Sequence, residues 1–386
     1  MTTFPNGRPL RVAMIGSRGV PARYGGVETA VEELSARLVE RGLDVTVFCR
    51  ADPDHPAPDV HRGIRCRYVT TTAGKHSATF VHSAASAALT VSRSFDLVHF
   101  HAMGPTLFAP VSRWVGRLPV VATVQGRDDQ RAKWGRGAKA VLGAAAYTAA
   151  WVPHETIVVS RQLRQEFLEE FGRDTTYVPN GVMAVPATAD DGRLRSRWGL
   201  DQGGYLLAVG RVVPEKAFDL LVEGYRDVPG DVPLVVVGPA EPGDTFQDRV
   251  RRLAKRDGRV RLLGPVYGDE MEVLWQGALA FVQPSNLEGL PLVLLEAAAH
   301  GLPVVVSDIG PHTEVVGTES GPARRLFPRG DRTALTAVLT DLLHAPERDR
   351  DAAPALRESV LAAYSWDSIT DATLEVYERA RLHSRG

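Results

Sequence analysis

Cysteine is nearly missing. Cys49 and Cys66 are the only two in the chain, and each sits in an apolar, alternating stretch. A disulfide framework and a cysteine-built zinc cage are both excluded, and the pair reads as small buried thiols. A reducing cytoplasm suits such a sequence. Excess charge is missing too: 45 Lys and Arg against 46 Asp and Glu leave a net charge of -1, so nothing calls for nucleic acid as a partner. No run approaches the ~20 apolar residues of a membrane span. The nearest, residues 141–152, is short and alanine-rich and reads as a closely packed buried helix. Residues 1–10 have no apolar core segment of a signal peptide. The dinucleotide fingerprint GxGxxG is absent, and Arg50 follows Phe48-Cys49 where a dehydrogenase would carry its acidic ribose partner. What remains is an ordinary globular composition, 44% hydrophobic and 24% charged, in 386 residues. That length suggests two domains.

Short apolar runs alternate with helical periodicity. Residues 11–15 read as a buried strand. After a glycine-rich loop, Val27, Val31, Leu34 and Leu38 fall on one helix face, and Gly42 stops it. Further strands are expected at 45–48, 64–68, 97–101, 120–124 and 157–159, with a helix over 76–92 and another capped by Ser160. Turn signals crowd Tyr177-Val178-Pro179-Asn180-Gly181. A second series starts at 205–209 and continues through 234–237, 260–263, 279–282 and 304–306. The polar stretch 187–204 between the series reads as a connecting helix and loops. Two such series predict an α/β chain of two doubly wound, Rossmann-like domains with parallel sheets.

In open parallel sheets, ligands bind beyond the carboxyl ends of the strands, so the loops there are the candidates. The first runs from Gly16 to Glu28 and places Gly25 and Gly26 at a helix start, where backbone amides favour an anion. An ordinary strand-to-helix turn would look similar. The second, Gly210-Arg211-Val212-Val213-Pro214-Glu215-Lys216, carries two cations five residues apart. An arginine fork and a lysine point charge suit a diphosphate, although most charge pairs of this kind are solvated. The third runs from Pro284 through Glu288, Leu290 and Pro291 to Glu296. Glu296 falls among Leu294, Leu295, Ala297 and Ala298, and an acid in that setting needs a partner. Asp52-Pro53-Asp54 imitates a metal-binding DxD but lies among prolines in a loop. His99 and His101 share one face of a strand without a third ligand to complete a zinc site.

Taken together, these loops resemble the family 4 glycosyltransferases of GT-B fold. The resemblance runs over nearly the whole chain. Its most specific part is the EX7E pattern from Glu288 to Glu296, followed by Gly301-Leu302-Pro303-Val304 and Ser307-Asp308. GRVVPEK at 210–216 and VPNGV at 178–182 are also typical. The stretches SRGVPARYGGVET, HFHAMGP and RAKWG resemble a subgroup that includes rhamnosyltransferases of polysaccharide assembly.

That likeness implies two Rossmann-like domains facing a central cleft. Residues 1–182 plus 366–386 would form the acceptor-side domain and 183–365 the nucleotide-sugar-binding domain. Arg211 and Lys216 would hold the donor pyrophosphate, and Glu296 would accept hydrogen bonds from the ribose. Glu288 would lie near the transferred sugar. Leu290, offering a backbone amide, and Pro291 would line the diphosphate site, while Gly25 and Gly26 would let the first loop approach the donor. His101 and Gln125 are the acceptor or cleft candidates. Many family members carry a histidine where Gln125 stands, and Gln125 can orient a group but cannot titrate. Ala217 stands where a glycine commonly follows the lysine.

The implied reaction moves a sugar, with retention, from a nucleotide diphosphate to a hydroxyl of a glycan, lipid-linked or small-molecule acceptor. It is expected to need no metal or other cofactor. An epimerase or phosphorylase of the same fold, or a nucleotide-sugar-binding protein without turnover, are the alternatives. A hydrolase using Glu288 and Glu296 would need the pair roughly 5–9.5 Å apart, which their spacing does not assure. Arg131, Lys133, Trp134, Arg136 and Lys139 suit a peripheral contact with an anionic lipid surface, at the inner face of the membrane, or with a large glycan, or else a solvated helix face.

Overall fold

The computed structural model describes residues 7–22, 25–51, 58–70, 78–92, 94–130, 135–184, 197–200, 204–240 and 244–384. The chain divides into two compact units, residues 1–181 with 366–386 and residues 182–365. Each is built around its own sheet.

In the first unit the elements run β1 (Arg11–Ile15), α1 (Gly26–Glu40), β2 (Asp44–Arg50), β3 (Val60–His61), β4 (Ile64–Val69), α2 (Ala78–Thr90), β5 (Leu97–His101), β6 (Val120–Val124), α3 (Arg136–Trp151), β7 (Glu155–Val158), α4 (Arg161–Phe171) and β8 (Thr176–Tyr177). The sheet order is β3-β4-β2-β1-β5-β6-β7-β8. Only β3 is antiparallel to its neighbour. The central strands are apolar on both faces because helices cover both, as in any doubly wound sheet. α1 buries Ala30, Val31, Leu34 and Leu38, and Ser160 caps α4 by accepting the Leu163 N–H at 3.3 Å. α3 buries Ala145, Ala146, Ala149 and Ala150 but exposes Val141, Tyr147 and Trp151, so its alanines form one packed face of a half-exposed helix. The C-terminal helix (Trp366–His383) returns to this unit, where the Arg37 guanidinium lies over the Trp366 ring.

The second unit runs β9 (Leu206–Val209), α5 (Phe218–Tyr225), β10 (Leu234–Val237), α6 (Thr245–Ala254), β11 (Val260–Gly264), α7 (Asp269–Gly277), β12 (Ala280–Gln283), α8 (Leu292–Ala299), β13 (Val304–Ser307), α9 (Gly310–Val316), β14 (Arg324–Phe327), α10 (Arg332–His344) and α11 (Pro346–Ala363). Its all-parallel sheet has the order β11-β10-β9-β12-β13-β14. Phe218, Leu221, Val222 and Tyr225 of α5 and Leu335, Leu339 and Leu342 of α10 bury one face each against it. Each such side chain is worth roughly 1.5–3 kcal/mol. The chain turns back on itself between β9 and β12, which are neighbours in space but not in sequence. In doubly wound sheets, ligands bind at such a switch point, beyond the carboxyl ends of the strands.

β14 is a strand the apolar pattern does not announce. Its Arg325 is 6% exposed and clamps Asp349 through two bonds of 2.7 and 2.6 Å, with Asp341 as a further partner. Paired in this way, the guanidinium takes a place where the pattern expects a valine.

Of the basic cluster at 131–139, Arg131, Lys133 and Trp134 lie outside the described residues, as do Asp52 and Asp54. Lys139 is exposed on α3. Among the described residues no helix is long and apolar enough to cross a membrane.

Candidate active site

In the second unit, the chain leaves β9 at Gly210, whose N–H donates to the Val237 carbonyl at 2.9 Å. Here Gly238 decides the geometry. Its φ is +151°, and a Cβ on it would lie 1.8 Å from the Gly210 carbonyl oxygen. No side chain fits there, so the two loops meet backbone to backbone. Gly238→Ala should therefore destabilise this unit by about 3 kcal/mol or more, read as a large fall in its thermal unfolding midpoint. A midpoint near that of the wild type would show that the loop shifts at little cost.

Residues 214–216 then make one 3₁₀ turn. Ala217 follows at φ +50°, ψ +37°, the left-handed conformation for which glycine is better suited. It turns the chain into α5 and fixes where Lys216 points. Lys216 Nζ donates to Glu288 Oε1 at 2.5 Å, and the two side chains are only 15% and 11% exposed. Ser285 Oγ and Gln283 Nε2 donate to the same oxygen at 2.6 and 2.8 Å. Ser285 is held in turn, its carbonyl accepting from Ser307 Oγ at 2.5 Å. The backbone ties the two loops as well, with Asn286 N–H on the Glu215 carbonyl at 2.8 Å. Burial by itself would raise the Glu288 pKa, but Lys216, His312 and the hydrogen bonds outweigh it and hold the carboxyl below its usual range.

Glu296 is treated differently. It lies in α8, one turn past the helix start, and burial pushes its pKa up. Glu272 adds to the rise and His300 opposes it. His300 and Glu272 pair with each other at 2.9 Å, so no hydrogen bond reaches the Glu296 carboxylate among the described residues. Leu290 and Pro291 are buried just before α8, and the Pro291 carbonyl accepts the Leu294 N–H at 3.0 Å. Arg211 is exposed on the β9 loop.

His312, at the start of α9, is a member of this cluster that the motifs do not reveal. Its ring is fully buried. Nδ1 lies 2.9 Å from the Ser307 carbonyl, and burial pushes the pKa down to about 4. The signal available in the sequence was a lone histidine between a strand and a helix, five residues after Ser307.

In the first unit, Gly25 and Gly26 are exposed at the start of α1. Two acids of α1 pin the loop before them: Glu28 accepts the Arg18 N–H at 3.3 Å, and Glu32 accepts the Ala22 N–H. His101 is not open to solvent. It is 2% exposed, stacks at 4.1 Å on the His99 ring, and burial drives its pKa to about 3. His99 bridges Tyr377 Oη and Thr123 Oγ1 at 2.8 and 2.7 Å, so this histidine pair docks the C-terminal helix on the sheet. Gln125 accepts from Asn180 Nδ2 at 3.0 Å. The Gln125 carbonyl is thereby engaged, and its amide N–H₂ is what it has left to offer. His101, Gln125 and Asn180 line a cavity of about 20 Å³. Cys49 and Cys66 are free and buried.

Among the described residues, no group of three or more His, Cys, Asp or Glu side chains is arranged to hold a metal ion.

Two doubly wound units in tandem, with a lysine–glutamate pair at the switch point of the second, define a glycosyltransferase of the GT-B class. Residues 24–184 match the family model described as Glycosyltransferase Family 4, and residues 192–359 the model described as Glycosyl transferases group 1. A D-inositol 3-phosphate glycosyltransferase of Kineococcus radiotolerans is 30% identical over 410 residues, which cover 92% of this chain and 91% of that protein. The chain belongs to the family 4 glycosyltransferases. A glycogen synthase of Mycobacterium tuberculosis is 28% identical, over 97% of this chain and 96% of its own. Among solved structures, Anabaena HepE in complex with UDP-glucose superposes with a TM-score of 0.79 at 19% identity, covering 95% of this chain and 98% of that one. A sucrose-phosphate synthase from Thermosynechococcus elongatus gives 0.78 at 22% identity, covering 96% and 98%.

Proposed function

We propose that the protein transfers a sugar, with retention at the anomeric carbon, from a nucleoside-diphosphate donor bound by the second unit to a hydroxyl acceptor taken by the first. The observation that carries this reading is the set of side chains gathered at the carboxyl ends of β9 and β12. A lysine is held there on a buried carboxylate, and a second carboxylate, Glu296, has no hydrogen-bond partner among the described residues. Lys216 and the exposed Arg211 supply positive charge for a diphosphate. The backbone amide of Leu290, just before α8, adds a donor at a helix start. Glu296 accepts hydrogen bonds from the two ribose hydroxyls.

The chemical problem is the negative charge that grows on the leaving diphosphate as the glycosidic bond breaks. Cations already in place meet that charge without reorganisation, so Arg211 and Lys216 do the work that a metal does elsewhere. The leaving phosphate oxygen takes the acceptor hydroxyl proton on the face from which it departs, and no protein nucleophile is required. The Gln125 amide, aimed by Asn180, donates a hydrogen bond to substrate oxygen and exchanges no proton. The relatives support the class of donor: HepE was solved with UDP-glucose, and the curated relatives carry the names of sugar-transferring enzymes.

The test is a thermal-shift screen of UDP-, GDP- and dTDP-sugars, followed by transfer assays with the donor that binds. Arg211→Ala should lower kcat/KM by about 100- to 1,000-fold in a protein that still folds, as read by circular dichroism. Isomerised donor formed without acceptor would identify an epimerase, and strict phosphate dependence a phosphorylase. Binding without turnover under every condition would leave a nucleotide-sugar-binding protein.

A further inference from the structure

His312 poses a question that the donor reading alone does not answer. The Ser307 carbonyl can only accept a hydrogen bond, so the Nδ1 facing it at 2.9 Å carries the proton. Nε2 then presents a lone pair, and that atom, fully buried, has no hydrogen-bond partner among the described residues. Burial is the largest influence on the ring and keeps it neutral, and two charged side chains modify that. Glu288, from the β12–α8 loop, favours its protonated form, while Lys216, from the β9–α5 loop, opposes it. Ser307 Oγ of β13 lies 3.1 Å from the same Nδ1.

The Lys216 share of this balance lasts while Lys216 stays on Glu288. A diphosphate competes for the same ammonium. Once Lys216 turns to the phosphates, Glu288 keeps Ser285 and Gln283 but loses its counter-ion, and the positive charge that opposed protonation of the ring moves toward an anion.

We propose that His312 then takes a proton from solvent at Nε2 and becomes the counter-ion of Glu288, so that binding of a nucleoside diphosphate is coupled to proton uptake. The new N–H bond draws its proton from the buffer acid, and the proton returns when the nucleotide leaves. His312 thus acts as a positioning residue. It keeps Glu288 ionised and in place while Lys216 is engaged with the donor. This inference rests on the reading of Lys216 as a diphosphate ligand.

The experiment is calorimetric titration of the full chain with UDP and with GDP, near pH 6.5, in buffers of different ionisation enthalpy. The dependence of the measured heat on that enthalpy counts protons. Wild type is compared with His312→Asn, whose amide N–H₂ can still donate to Ser307 but offers no second ring nitrogen. The difference between the two proteins removes the ionisation of the nucleotide itself. Wild type should take up measurably more protons per bound nucleotide than the variant. Nitrogen NMR of histidine-labelled wild type reads the ring directly and needs no variant: the His312 signals should move from neutral to charged values on saturation with the nucleotide. Nucleotide binding with equal proton counts, or with an unchanged ring, would overturn the coupling and leave the donor site standing. If neither nucleotide binds, the diphosphate reading fails and the coupling fails with it.

Discussion

Lys216→Ala is expected to cost about 100- to 1,000-fold in transfer and, separately, about 3 kcal/mol in the stability of the second unit. The catalytic loss follows from removing a cation that meets the charge developing on the leaving diphosphate. The stability loss has a different origin. Glu288 is only 11% exposed and is held below its usual pKa, against burial, chiefly by Lys216. Removing the lysine leaves a carboxylate held, among the described residues, by Ser285, Gln283 and a His312 ring whose protonation burial opposes. The two losses separate in the double variant Lys216→Ala/Glu288→Gln, which has no stranded charge. Its denaturation midpoint should recover most of the way toward wild type, while its turnover stays low.

The pH dependence carries the same signature. The folded-state pKa of Glu288 is depressed, so the stability it contributes is present above the ordinary carboxyl value of 4.5 and is lost as the pH falls through the depressed one. The single variant should not show that acid-side loss. Wild-type turnover in Lys216→Ala would mean that the pyrophosphate is held elsewhere. A double variant no more stable than the single one would mean that the pair is not held together by its charge.

What could be read in advance follows a physical boundary. Lys216, Glu288 and Glu296 were legible as candidates because they follow strands announced by short apolar runs and fall in patterns that resemble family 4. Their pairing was not legible. Lys216 and Glu288 are 72 residues apart, and only the strand order β9-β12 makes the β9 and β12 loops neighbours. Gly238 escaped for the same reason, since its glycine is demanded by the Gly210 carbonyl on another strand. β14 was hidden because Arg324 and Arg325 break an apolar pattern, and the acids that make Arg325 acceptable, Asp341 and Asp349, arrive from α10 and α11. His101 was read from strand alternation as a candidate for the acceptor side. Alternation fixes the face but not what covers it, and the ring lies buried beside His99, which holds Tyr377 of the C-terminal helix.

Glu296→Gln is expected to make the protein more stable and a poorer binder of its donor. Burial raises the pKa of this carboxyl, and no hydrogen bond within the described protein offsets the cost. A carboxyl whose folded-state pKa is raised contributes stability below its unfolded value, near 4.5, and that contribution is lost as the pH rises through the folded value. At pH 7 the ionised group therefore works against the fold. Glutamine keeps the shape without the charge, so the variant should melt higher than wild type at pH 7, with the gap closing as the pH approaches 4.5. A residue that costs stability in this way is typical of one kept for a ligand. If that ligand is the ribose, the lost charged hydrogen bonds should weaken donor binding by about 10- to 100-fold. These bonds exist before and during reaction, so turnover at saturating donor should barely change. Glu288→Gln should behave oppositely, because its charge sits beside the inferred breaking bond: turnover falls more than affinity. The decisive measurement pairs nucleotide affinity with saturated turnover for both variants. An exchange of the two patterns would reverse the assignment. A Glu296→Gln protein that melts higher and binds donor as tightly as wild type would show that its buried charge serves something other than the ribose.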